Sequence, residues 1–219
     1  MRIVLTLLVL LSLSVGTSGQ IAQATIPATS PADAREEEAR KWSFSAAIYT
    51  YIVPDQHDYV QPTITADHDW LHLEARYNYE TLDSGSMWIG YNFAGGEKIE
   101  WEVTPMLGGV LGNTVGVAPG YRGHVSWWKV TLFSEGEYVF DTRESSDSFF
   151  YNWSELTLAP LDWLHLGIAG QRTRAYGNDR NVQFGLVLGL KYKWLALSTY
   201  VFNPTESKPT VVISVSVTI

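Results

Sequence analysis

The chain has 219 residues, a formal net charge of −8 and no cysteine, with 17% charged and 13% aromatic side chains. That length permits one domain of ordinary size, and the acidic balance leaves no basic patch for nucleic acid. Without cysteine the chain is neither a disulfide-stapled secreted miniprotein nor a cysteine-lipidated lipoprotein.

Met1–Val15, MRIVLTLLVLLSLSV, sets one Arg ahead of an apolar run too short for a helical span, and AQA at Ala22–Ala24 fits a cleavage site. This is the layout of a Sec-type secretory signal peptide over 1–24. Residues 25–41, TIPATSPADAREEEARK, are Ala-, Pro- and charge-rich and read as a flexible periplasmic linker. From Trp42 to Ile219 the texture changes to short alternating stretches separated by turn clusters, with no sustained period of 3.6.

Turn signals divide 42–219 into twelve strands near 43–53, 59–66, 70–80, 86–94, 97–111, 114–126, 129–141, 149–159, 163–175, 181–192, 195–203 and 209–219. Merging or splitting a hairpin would give ten or fourteen. Within 70–80, Leu71, Leu73, Ala75, Tyr77 and Tyr79 fall on one face, and His72, Glu74, Arg76, Asn78 and Glu80 on the other. Phe184, Leu186, Leu188, Leu190 and Tyr192 form a second apolar face, and Val211, Ile213, Val215, Val217 and Ile219 a third. Most stretches have the roughly 9–11 residues that a tilted strand needs to cross a bilayer.

The pentad DWLHL occurs at Asp69–Leu73 and Asp162–Leu166, with KWLAL at Lys193–Leu197. Each opens a strand with a tryptophan. Trp42, Trp70, Trp101, Trp128, Trp163 and Trp194 are spaced 28, 31, 27, 35 and 31 residues apart, one hairpin per step, so all six fall at the same end of the strands. Trp101 and Trp128 share parity with the apolar faces; Trp70, Trp163 and Trp194 follow a turn Asp or Lys, where the pleat is not yet set. Tryptophan favours a membrane–water boundary, and a ring of it at one level reads as an aromatic girdle.

Signal peptide, twelve amphipathic strands, aromatic strand ends and an alternating terminal strand together resemble a Gram-negative outer-membrane β-barrel, over the whole of Trp42–Ile219. The resemblance is to the architectural class rather than to a family within it. It implies an all-β, antiparallel up-and-down transmembrane barrel with periplasmic termini, residence in the outer membrane, and two partners: membrane lipid, and the barrel-assembly machinery during biogenesis. Two departures stand out. Members usually end in an aromatic residue, and this chain ends in Ile219; their outer loops are usually long, and DTRESSDS, YGNDRN and NPTESK are short.

If the apolar face meets lipid, the polar face lines the interior. The candidate lining is His72, Glu74, Arg76, Lys98, Glu100, Glu102, Arg122, His124, Glu135, Glu137, Glu155, His165 and Lys191. Such a set serves either as a hydrogen-bonded filling or as the wall of a water-filled passage. The expected function is a narrow passive, porin-like channel for small polar solutes, or a barrel of structural role, with no cofactor and no metal. A lipid-modifying barrel hydrolase is the first alternative: His124 and Ser126 share a face, but no acid is located. A soluble exported β-sandwich or lipocalin-like binding protein is the second. His68 and His72 have helical ligand spacing but lie in a strand, and His57 sits in an exposed loop. Finally, Thr104–Gly123, rich in Gly and holding Pro105 and Pro119, is expected either to project and bend or to fold inward as a gate.

Overall fold

The computed structural model describes residues 42–173 and 181–219. The signal-peptide and linker expectations for 1–41 lie outside the described residues. Thirteen strand segments follow one another: β1 (Ser43–Ile52), β2 (Tyr59–His68), β3 (Leu71–Tyr77), β4 (Ser84–Tyr91), β5 (Phe93–Gly95), β6 (Ile99–Gly112), β7 (Gly116–Trp127), β8 (Val130–Asp141), β9 (Phe149–Leu161), β10 (Leu164–Thr173), β11 (Asn181–Tyr192), β12 (Leu195–Phe202) and β13 (Thr210–Thr218). Apart from β4 and β5, which both pair with β6, each pairs antiparallel with its neighbour in sequence, and β1 pairs with β13, so the sheet closes on itself.

β4 and β5 are two halves of one wall strand, since both pair with β6. The wall therefore has twelve strands. The interruption at Asn92 falls opposite Thr104 and Pro105 in the register, and Pro105 has no N–H to give a neighbouring strand. Asn92 bonds elsewhere: its backbone N–H goes to Trp70 O at 2.7 Å, and its Nδ2 to Asp67 Oδ1 at 3.0 Å.

The hairpin turns 69–70, 128–129, 162–163 and 193–194 have two residues and sit at the end that holds both Trp42 and Ile219. Asp69, Trp128 and Lys193 adopt the left-handed conformation, which matches the twist of the strands they join. The second DWLHL copy differs from the first. Its hairpin shifts register between Leu164 and Leu166, so the repeated pentad marks strand starts without fixing one turn geometry.

Alternation decides which side chains meet which surroundings. On β3, His72, Glu74 and Arg76 are buried while Leu73 and Tyr77 are exposed. Ile64, Met87, Ile89, Leu107, Leu186 and Leu188 extend the exposed apolar band around the wall. A water-soluble lipocalin-like barrel would turn these side chains inward. Exposed across the whole wall, they fit a hydrocarbon surround.

The interior carries two apolar clusters. Trp88, Met106, Val110, Ala118, Val139 and Phe149 fill the side formed by β4 and β6–β9. Tyr51, Trp153, Ala169, Val187, Tyr200, Phe202 and Val212 fill the opposite side. Two glycines of 104–123, Gly108 and Gly120, serve the first cluster by making room for Trp88. A Cβ on Gly108 would stand 2.4 Å from the Trp88 indole, so only glycine lets that ring lie against the wall.

The gate expectation for this segment is therefore corrected. β6 and β7 pair continuously from Ile99↔Trp127 to Val110↔Gly116, within the wall, and residues 113–115 make the tip. Neither proline disturbs that ladder: Pro119 pairs with Leu107, and the gap it leaves lies on the β8 side.

Candidate functional site

The polar interior is built around Arg76. Its Nε donates to Glu74 Oε1 at 2.8 Å and its Nη1 to Glu137 Oε2 at 2.8 Å. The guanidinium lies over the Tyr79 ring at 4.2 Å and the Trp88 ring at 4.6 Å. With its side chain only 3% exposed, Arg76 is a fixed counter-charge within the packing. Arg122 differs: its side chain is 28% exposed, and its ion pair, to Glu74 Oε2, spans 3.4 Å.

His72 continues the network. Nδ1 lies 2.7 Å from Asp67 Oδ1 and Nε2 3.1 Å from Glu74 Oε2, so both ring nitrogens face carboxylate oxygens. The His68–His72 spacing brings no ligand pair together, because the His68 ring packs on Trp42 at 5.0 Å.

Two cavities remain between the packed sides. One, about 300 Å³, lies toward the short turns, with Tyr49, Asp67, Glu74, Glu102, Arg122 and Glu135 in its wall. The other, about 310 Å³, lies toward the longer connections, with Tyr59, Asn78, Glu80, Gln171 and Gln183. Tyr51, Gln61, Tyr79 and Tyr151 belong to both and form the waist between them.

Tyr79 corrects the face assigned to it from alternation. The strand ends at Tyr77, Asn78 takes a left-handed conformation, and Asn78 Oδ1 accepts from Asp83 N–H at 2.7 Å to close a tight loop. That turn breaks the period of two and sends Tyr79 into the lumen. There its hydroxyl donates to Glu135 and its ring meets Tyr151 edge-on at 5.1 Å. The inward constriction thus comes from residues 78–81 rather than from 104–123.

Of the sequence-derived lining, His72, Glu74, Arg76, Arg122 and Glu137 form one connected network. Glu102 and Glu135 share the turn-side cavity with part of it. Glu155 lies apart, accepting from Trp153 Nε1 at 2.7 Å and Tyr200 Oη at 2.9 Å. Lys98 falls in the turn before β6, and Glu100 and Lys191 are exposed near the same end. His124 is half-buried opposite Glu102, while Ser126 bonds Thr131 at 2.9 Å instead of the histidine.

The structure does bring one Ser and His together that sequence reasoning missed. His165 Nε2 lies 3.2 Å from Ser198 Oγ. Gly189 makes the room, since a Cβ there would stand 1.9 Å from that nitrogen. No acid bonds the other ring nitrogen among the described residues, so this is a pair without an orienting third group.

Trp42, Trp70, Trp101, Trp128, Trp163 and Trp194 are all exposed and lie at the end of the barrel with the short turns. Trp127 joins them.

A closed twelve-stranded, antiparallel wall with an apolar outer surface and a charged, partly hollow interior defines a β-barrel of the outer-membrane class. Among solved structures, a KdgM porin superposes with a TM-score of 0.53 at 10% sequence identity, over 79% of this chain and 98% of that one. A KdgM porin in complex with disordered oligogalacturonate gives 0.51, again at 10% identity, over 80% and 98%. At this identity the likeness is one of fold. No protein-family model matches the chain, and no curated protein matches it by sequence.

Proposed function

We propose that this chain is a narrow passive channel of the bacterial outer membrane, admitting small polar solutes. The observation that carries the reading is the pair of cavities, about 300 and 310 Å³, in line along a polar lumen and sharing one waist. A barrel of purely structural role would gain by filling that space with side chains. The exposed apolar band supports residence in lipid, and the tryptophans at the short-turn end support a boundary girdle there. Assembly would then involve the outer-membrane insertion machinery.

Oligogalacturonate, the polyanion named for one KdgM porin structure, is not carried over to this lumen, whose walls are rich in carboxylates. The waist tyrosines also limit the size of what can pass.

Two experiments test the proposal. Cell fractionation should place the folded, heat-modifiable protein in the outer membrane; recovery in the soluble periplasmic fraction would contradict the location. Proteoliposomes should swell in glycine or another small polar solute and resist a trisaccharide. No swelling with any solute would leave the structural role as the better reading.

A further inference from the structure

The sign of the charge in the two cavities is uneven. In the turn-side wall, Asp67, Glu74, Glu102 and Glu135 stand against Arg122 and His72. His72 is already held between Asp67 and Glu74, and Arg122 has a single ion pair of 3.4 Å. In the loop-side wall, Glu80 is the one charged residue among the described residues, and its side chain is buried behind that wall. Arg76, the best-fixed cation, lies in neither wall. Among the described residues, the turn-side chamber therefore carries the excess of acidic side chains.

A separate observation points the same way. Glu80 Oε2 has no hydrogen-bond partner among the described residues, although its side chain is fully buried against protein atoms. The equivalent holds for Glu137 Oε1 behind it. Arg76 is the cation shared by these carboxylates, at 2.8 Å from Glu74 and Glu137 but 4.0 Å from Glu80; His72 and Arg122 also face Glu74, and Ser86 Oγ donates to Glu80 Oε1. A buried carboxylate oxygen without a partner is costly, and here three carboxylates are packed around the single guanidinium of Arg76, so the wall behind the chambers is itself acidic.

The waist supplies a second kind of cation contact. Tyr51, Tyr79 and Tyr151 present aromatic surface to both chambers. Tyr79 already carries one cation on its ring, the Arg76 guanidinium at 4.2 Å. Ring faces attract cations through their quadrupole, most strongly where water is thin.

We infer that the lumen is a cation path, and that its permeant solutes are small organic ammonium ions held by the carboxylates of the turn-side chamber and the tyrosine rings of the waist. This rests on the channel reading and names its solute class. Rings of acidic side chains set such a preference in cation pores generally.

The test uses the full-length barrel in planar bilayers. Under a potassium chloride gradient, the zero-current potential should report potassium favoured over chloride, on the order of fivefold. Glu102→Gln and, separately, Glu135→Gln should each lower that ratio about twofold, while the exposed loop variant Glu206→Gln should leave it unchanged. Glu102 and Glu135 are both half-buried, so neither substitution strikes the tightly packed ion group around Arg76. Millimolar tetramethylammonium should reduce the potassium current, and acetate should not. A current that is unselective, favours chloride or ignores tetramethylammonium would overturn the inference while leaving the channel reading intact. No current under any condition would instead overturn the channel reading. Calorimetric titration of the folded barrel with tetramethylammonium would then decide the site alone: binding weakened in Glu102→Gln supports it, and no binding overturns it.

Discussion

Arg76 shows how much one interior side chain can hold. It answers Glu74 and Glu137 at 2.8 Å and lies between two aromatic rings, almost wholly out of solvent. Removing one partner from a buried ion group leaves the others uncompensated, at a cost of about 3–5 kcal/mol. Arg76→Ala should therefore lower the urea midpoint of the vesicle-folded barrel markedly, with tryptophan fluorescence as readout. Lys208→Ala, which breaks the exposed pair with Asp55, should not move it. Equal midpoints for the two variants would contradict the role given to Arg76. Gly108 offers the opposite test, by adding volume. Gly108→Ala should destabilise by about 1–3 kcal/mol as its Cβ meets Trp88, and Gly109→Ala, where a Cβ would meet nothing within 4 Å, should be neutral. At this scale sequence reading had limited reach. Period-two alternation placed His72, Glu74 and Arg76 on the polar side, but it carried Tyr79 to the outside, because a left-handed Asn78 cannot be seen in a pattern of apolar residues. The Asn78–Asp83 pairing across a short polar stretch was the available signal. Trp88 was equally hidden: its inward place depends on a glycine 20 positions away, on another strand.

The strands are the scale at which the sequence was most legible. Hairpin spacing, turn residues and alternating faces are local properties, and they place the segments to within a few residues. Asn92 and Pro105 explain where a single expected strand, 86–94, divides in two: the cause is a missing donor on the neighbour, not a break signal in the strand itself. Closure is the non-local step. β1 and β13 meet in a register running from Ser45↔Thr218 to Ile52↔Val211, with reciprocal bonds between Phe44 and Ile219 at 2.8 and 2.9 Å. A slip of one residue would turn the whole apolar face of β13 inward. The absence of native cysteine makes this register directly testable. Ala47 and Ser216 are opposed on the inner face, in a pair whose Cβ atoms should lie within about 5.5 Å. Ala47→Cys with Ser216→Cys should form a disulfide on oxidation and hold the barrel closed on a denaturing gel. Ala47→Cys with Val217→Cys should not, since Val217 faces the other side. Bridging of the second pair in place of the first would overturn the register.

At the scale of the whole molecule, the barrel reverses the arrangement of a soluble protein. Its apolar side chains ring the outside, and its charges gather within. That inversion follows from alternation once the wall is closed, so the class of fold could be read from the sequence. Whether the interior is filled or hollow could not, since it depends on how side chains from opposite walls meet. Twelve strands set a width between a packed core and an open pore. The two apolar clusters take up the sides, and the tyrosine waist divides what is left into two chambers. The central claim is that this divided lumen conducts and that Tyr79 is part of its narrowest section. Single-channel recording of the wild type beside Tyr79→Ala tests it most directly. The account predicts small, discrete steps for the wild type and steps larger on the order of twofold for the variant, as the waist opens. Silence from both proteins, or identical conductance in the two, would contradict it.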